Sequence, residues 1–219
     1  MRRVRANPGE GTRLREEILA AAEALLVERG SEEALTLRAV AGRTGVSTPS
    51  VYLHFADKEQ LIEAVCLRAW DELERRMREA AQGIDDPFWA LGRCGHVYVR
   101  FALDHPVQYR VLMMRQGSGS AATACFGYMV EAVSACVASG TLRGDPQTLA
   151  LGLWSAAHGC ASLLISQPSF PWPDDLDAFI DDTVWMAGLG TAIASRLSRR
   201  RVLPGVAAEL DAFADRLNG

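Results

Sequence analysis

Lysine is nearly missing from this 219-residue chain: Lys58 stands alone beside 22 arginines. That imbalance reflects the codon usage of a GC-rich genome and excludes nothing by itself. Cysteine is sparse and unpaired. Cys66, Cys94, Cys125, Cys136 and Cys160 are scattered with no pair at metal-ligand or redox spacing, and an odd count argues against a disulfide framework. They read as free thiols in or near the core, with redox sensing as the lesser alternative. Long apolar runs are missing too. Stretches such as 160–165 are far too short to span a bilayer, and the basic start at residues 1–5 leads into no apolar signal segment. The expected location is the cytoplasm. No stretch alternates with period two, and no Asn-Gly or Asp-Gly joins two alternating runs, so no sheet is expected.

Signatures of catalysis are equally scarce. None of His54, His96, His105 and His158 has a glutamate three residues before it, which excludes the carboxylate bundle that holds a metal pair. There is no phosphate-cradling glycine loop, no H-E-x-x-H and no nucleophile elbow. Cys94 and His96 lack further clustered ligands for zinc. The sequence therefore predicts neither metal nor cofactor, and no enzyme.

What is present is an ordinary globular composition, 49% hydrophobic and 23% charged, with a formal net charge of −4. The distribution matters more than the sum. Arg2, Arg3, Arg5, Arg13 and Arg15 face a single acid, Glu10, in the first 15 residues, whereas the chain beyond residue 60 carries all of the −4. A basic arm thus precedes an acidic body, as suits a protein that meets phosphate at one end. The arm's bland alternative is a simple disordered tail.

Periodicity predicts helices throughout. Leu14, Ile18, Ala21, Ala22, Leu25 and Leu26 form one stripe on a helix over 12–29, ended by Gly30. Thr36 is a natural N-cap for a helix over 37–44, and Gly45 and Val46 make a tight turn. Ser47 caps a third helix over 48–55, with Pro49 tolerated in its first turn, and Asp57 caps a fourth over 58–81. Further helices are expected over 87–104, 106–114, 121–139, 146–166, 175–199 and 206–217, separated by glycine and proline punctuation. The fold class is all-α: an N-terminal three-helix domain (12–60) after the arm (1–11), then a helical bundle (61–219).

Short helices joined by a turn of this length form a helix-turn-helix, whose second helix lies in the major groove of DNA. Thr48 and Ser50 offer hydroxyls at the positive end of that helix, for phosphate or base edges. Tyr52 adds a phenol, His54 a ring donor, and Lys58 an ammonium for a backbone phosphate. Thr36, Arg38 and Ser47 complete the candidate DNA contacts. The bland alternatives are a core aromatic for Tyr52 and a packed surface histidine for His54.

Several strings carry a resemblance: Leu37, Arg38, Ala39, Val40 and Ala41; Gly45, Val46 and Ser47; Pro49 through Phe55; and Asp57, Lys58, Glu59, Gln60 and Leu61. Over about 50 residues, without a gap, they resemble the DNA-binding signature of TetR-family regulators. The resemblance implies phosphate contacts at Thr48, Tyr52, His54 and Lys58 and base contacts at Ser50. Val46, Val51, Phe55 and Leu61 become core. Trp154, His158 and Gly159, with the stretch from Asp104 to Met113, are similar to a narrower branch bearing a Trp-His-Gly signature. Packing is the favoured role for that trio.

A helical bundle holds small molecules among its helices. Trp89, Tyr98, Phe101, Tyr109, Met113, Phe126, Met129, Trp154 and His158 are the candidate lining for an apolar or aromatic effector, although such residues also serve as plain core. The resemblance further implies a homodimer through the helices over 146–166 and 175–199, with Ala187, Gly188 and Gly190 permitting close approach. A two-fold reader suits a palindromic operator in double-stranded DNA. The resemblance therefore implies a repressor released by a ligand, with activation as the open alternative. The competing reading is an all-α binding or enzymatic protein with a vestigial DNA reader.

Overall fold

The computed structural model describes residues 10–110, 119–197 and 206–218. Ten helices and no strand are found among them: α1 (Glu10–Arg29), α2 (Leu37–Thr44), α3 (Thr48–Tyr52), α4 (Lys58–Ala81), α5 (Pro87–Asp104), α6 (Pro106–Gln108), α7 (Gly119–Ala138), α8 (Pro146–Ser166), α9 (Leu176–Ala194) and α10 (Val206–Asn218). Residues 1–9 of the expected arm and Met113 lie outside the described residues, while residues 10 and 11, the last two of the arm, already belong to α1.

Local chemistry sets most of the boundaries. Thr36 Oγ1 accepts from the Ala39 N–H at 3.0 Å, and Asp57 Oδ1 accepts from Gln60 N–H at 2.7 Å. Each such cap stabilises its helix by about 1 kcal/mol. Gly45 closes α2 at φ +70°, a conformation that a side chain would strain, and sends the chain into α3. α3 is shorter than the sequence predicts. It ends at Tyr52, where the His54 N–H turns back to Val51 O at 2.9 Å and the chain rotates to bury Phe55. α9 likewise stops at Ala194, before the expected 199. There Arg196 folds away to donate to the carbonyls of Gly140 and Thr141 at 2.7 and 2.8 Å.

One buried cluster runs from Ile18, Ala22 and Leu26 of α1 through Val40 of α2 and Val51 of α3 into α4, and on to α5, α8 and α9. α4 is its spine. Leu61, Ile62, Val65, Cys66, Trp70, Leu73 and Met77 are all buried, and the helix packs against α1, α5 and α7. A second cluster, around Met129, Val133, Cys136 and Ala150, fills the α7–α8 side. α8 is long and apolar enough to cross a membrane by length and composition, which the apolar runs of the sequence alone did not suggest. Here it packs against α5, α7 and α9.

All five cysteines are buried and free. Burial pushes the thiols of Cys94, Cys125, Cys136 and Cys160 upward, with Cys125 at about 12 and Cys136 at about 11. Protonated, shielded thiols do not favour the redox-sensing alternative.

Two glycines bring α5 and α9 into contact. A Cβ on Gly95 would stand 2.7 Å from Val184 Cγ1, and one on Gly188 would stand 3.1 Å from Phe88 Cζ. Gly188 is thus spent on α5, not on a second copy. Gly159 has no described atom within 4 Å of a built Cβ, so it admits no neighbouring helix of this chain.

Gly92, one turn from Gly95 on the same helix, also meets nothing within 4 Å. The two positions predict opposite signs. Gly95→Ala gains roughly 1 kcal/mol of helix propensity but loses about 1–3 kcal/mol to overpacking, so it should lower stability in urea denaturation. Gly92→Ala gains the propensity alone and should raise stability by about 0.5–1 kcal/mol. Equal shifts of the urea midpoint in both variants would refute the α5–α9 packing.

Candidate nucleic-acid interface and effector cavity

The hydroxyl of Ser47 accepts from the Ser50 N–H at 3.3 Å and lies 2.7 Å from Ser50 Oγ. Ser50 Oγ therefore takes part in the hydrogen bonding of the cap, through a solvent-exposed bond. Thr36, Arg38 and Ser47 are exposed, whereas Thr48 and His54 are half-buried. Tyr52 is 55% exposed, which rules out its core alternative. Beside it Leu53 is 84% exposed, the most exposed of the large hydrophobic side chains among the described residues. Sequence reasoning passed over Leu53. The available signal was its place between Val51 and Phe55, the two inward positions of that turn.

Lys58 is less free than its sequence position suggests. Its Nζ donates to the Glu32 carbonyl at 2.6 Å and ties the start of α4 to the loop after α1. An ammonium has two further protons for other acceptors. The reader is braced elsewhere by Arg43, whose two terminal nitrogens each reach a Glu28 oxygen at 2.6 Å. That fork holds the Glu28 carboxyl below its usual range. Arg15 lies 5.0 Å over the Phe55 ring.

In the body, His158 anchors an uncharged polar knot. Its Nδ1 is 2.8 Å from Tyr98 Oη and 2.9 Å from Tyr109 Oη, and a single lone pair can accept from one of them. Trp154 Nε1 donates to Tyr98 Oη at 3.3 Å, while Tyr109 Oη also reaches the His158 carbonyl at 3.2 Å and Ser162 Oγ at 3.1 Å. Tyr98 giving its proton to Nδ1 and Tyr109 giving its own to the carbonyl satisfies every partner. Burial lowers the His158 pKa and raises both tyrosines, so all three stay neutral. The knot ties α8 to α5 and to the residue after α6, and α6 in turn rests on α1.

The expected aromatic pocket is largely filled by this knot and its neighbours. A cavity of about 30 Å³ remains between Trp70, Met77, Tyr98, Cys125, Phe126, Met129 and Trp154. It has room for about one water molecule. Trp70 Nε1 is buried without a hydrogen-bond partner among the described residues. A larger cavity, about 500 Å³, opens instead between α5, α8 and α9. Of the expected lining residues, Trp89 and Met129 border it. Tyr98, Phe126 and Trp154 border only the small one, and Phe101, Tyr109 and His158 border neither. Phe101 is held by the His105 ring at 4.6 Å and by Arg76. Among the described residues, no cluster of three or more metal-ligating side chains occurs.

Comparison with known proteins bears on this geometry. The family model for bacterial regulatory proteins of the tetR family matches residues 18–65, and a tetracyclin repressor-like C-terminal domain matches residues 91–186. The HTH-type transcriptional repressor BepR of Brucella suis is 38% identical over 82 residues, 37% of each chain, so the match spans well under half of that repressor. An uncharacterised HTH-type transcriptional regulator of Mycobacterium tuberculosis is 28% identical over 167 residues, 75% of each chain. Among solved structures, a Rhodococcus protein of unknown function superposes with a TM-score of 0.69 at 25% identity, covering 84% of this chain and 96% of that one. A TetR-family transcriptional regulator of Pectobacterium atrosepticum superposes at 0.65 with 19% identity, covering 89% and 100%. Helix-turn-helix, helical body and both family matches lead to one assignment: the chain belongs to the TetR family of bacterial regulatory proteins and is a transcriptional regulator with a DNA-binding domain, not an enzyme.

Proposed function

We propose that this chain is a repressor that works as a homodimer on a palindromic operator and is released from it by a small molecule. The exposed Tyr52 and Leu53 at the end of α3 carry the reading most directly, because a buried helix-turn-helix could not enter a groove. The repressor name of the Brucella relative supports repression. DNA contact belongs to residues 12–60 behind the arm at 1–11, and effector binding and pairing belong to residues 61–219. The site of action is the cytoplasm, where the operator lies.

Within the reader, Arg38, Thr48, Tyr52 and His54 approach phosphates, with Thr36 and Ser47 at the two helix starts. Lys58 adds a phosphate contact through the protons that its bond to Glu32 leaves over. Ser50 shapes the cap that aims α3, and Leu53 takes the base-reading role through apolar contact with a thymine methyl. Pairing uses the outer edges of α8 and α9. Leu151 and Leu163 on α8, and Met186 on α9, are each at least 45% exposed in the single chain. Gly152, with no atom within 4 Å of a built Cβ, leaves room for a second backbone. Release follows from linkage: a ligand that prefers a body conformation with a different reader spacing weakens DNA binding by the same factor.

Two experiments test these assignments. In a gel-shift series, Tyr52→Phe and Arg38→Ala should weaken binding alike on every DNA sequence, and Arg38→Ala should flatten the salt slope by about 1. Leu53→Ala should relax preference at one base position roughly three- to tenfold, as about 0.8 kcal/mol per methylene removed from water implies. Unchanged affinity and preference in all three would contradict the groove placement. In sedimentation equilibrium, Leu163→Glu or Met186→Glu should raise the dimer dissociation constant about a hundredfold or more, the effect of roughly 3 kcal/mol from burying an unpaired charge. A dimer unmoved by both would place the pairing surface elsewhere.

A further inference from the structure

The ligand that such a regulator answers to has a chemical outline in the larger cavity. We infer that the space between α5, α8 and α9 is the effector site, and that it selects an amphipathic organic cation. The apolar body lies inside and a protonated or quaternary amine sits at the mouth, with Asp182, Trp89 and Trp185. This inference rests on the ligand-responsive reading above.

Size decides between the two cavities. About 500 Å³ suits a small molecule, whereas about 30 Å³ suits a water. The interior wall is aliphatic, with Leu91, Met129 and Leu153. Gly92 also borders it, a helix-interior glycine whose Cβ would meet no atom within 4 Å. Glycine there costs helix stability and packs no neighbour, so its effect is to leave the cavity open.

The mouth is aromatic and acidic. Trp89 is 61% exposed and Trp185 49%, large apolar faces left in water in the single chain. Asp181 is already taken: its carboxylate lies 2.6 Å from His96 Nδ1 and 4.0 Å from Arg93 Nη1. Asp177 is occupied by Arg100 at 3.3 Å. Asp182, which also lines the cavity, has no hydrogen-bond or ion-pair partner among the described residues. Arg93 also lines the cavity and faces Asp181, so two carboxylates stand against one guanidinium there and Asp182 is the charge left over. A surplus carboxylate lining the same cavity as two indoles favours a cationic amine over an anion. Met129 lines both cavities, and Trp70 of α4 also lines the smaller one. A ligand that displaces Met129 into that void therefore presses on the helix leading to the DNA reader.

Three probes with one chain and different heads separate the possibilities: octyltrimethylammonium, octan-1-ol and octanoate, titrated into the full chain by calorimetry with and without operator DNA. The cation should bind at least tenfold tighter than the alcohol, with octanoate weakest. Asp182→Asn should bring the cation to the alcohol's level. Gly92→Phe fills the cavity and should abolish binding of the cation while helix content and melting are retained. Octanoate binding as tightly as the cation would overturn the inference, as would full cation affinity in Gly92→Phe. It also fails if Gly92→Phe instead separates the dimer, which would make the cavity part of the contact between copies. Cation binding that obeys both variants but leaves DNA affinity unchanged would uphold the site and its class and refute the ligand-responsive reading alone.

Discussion

One unbroken helix, Lys58–Ala81, holds this molecule together. Its buried stripe from Leu61 to Met77 belongs to the same apolar cluster as the inner faces of α1, α2 and α3, and it packs on α5 and α7 as well. Burying a Leu or Ile side chain contributes about 1.5–3 kcal/mol, so rotating α4 by one residue would forfeit several such contributions at once. Its register is thereby fixed against both neighbours. A closely packed interior transmits displacement instead of absorbing it, so in the proposed release mechanism α4 is the path from body to reader. Lys58 completes the connection by tying the first turn of α4 to the loop that leads into α2.

The body shows how rigidity and open space are divided. The neutral knot of Tyr98, Tyr109 and His158 fills the middle and fixes α8 against α5. Contacts at Gly95 and Gly188 pin α5 to α9, with the unfilled position Gly92 between them. A void along a seam pinned on both sides is one that a ligand can enter without unfolding anything. The outer edges of α8 and α9 remain apolar and uncovered in the single chain, as a pairing surface requires.

Most of the fold was legible because its signals are local. The limits of α2, α4, α5 and α8 coincide with those expected, since Thr36, Gly45, Asp57, Asp86 and Asp145 act within four residues of the backbone they cap. The end of α3 was not, because burial of Phe55 overrides helix continuation there. Side-chain partners distant in sequence were invisible for the same reason. Nothing near Lys58 announces Glu32, and nothing in Gly188 tells a contact with Phe88 from one with a second copy. The aromatic list for the effector site mixed knot, core and cavity wall, because composition identifies residues that can line a pocket but not where packing leaves one. Trp89 and Met129 border the large cavity, while its Gly92, Asp182 and Trp185 carried no signal in the sequence.

Selection of duplexes from a random DNA pool by the purified full chain, repeated across a salt series, tests the central claim most directly. Enrichment of a palindrome with a steep salt slope is the predicted result, since a two-fold reader held by phosphate contacts must show both. Retention without any enriched sequence, or binding indifferent to salt, would contradict it.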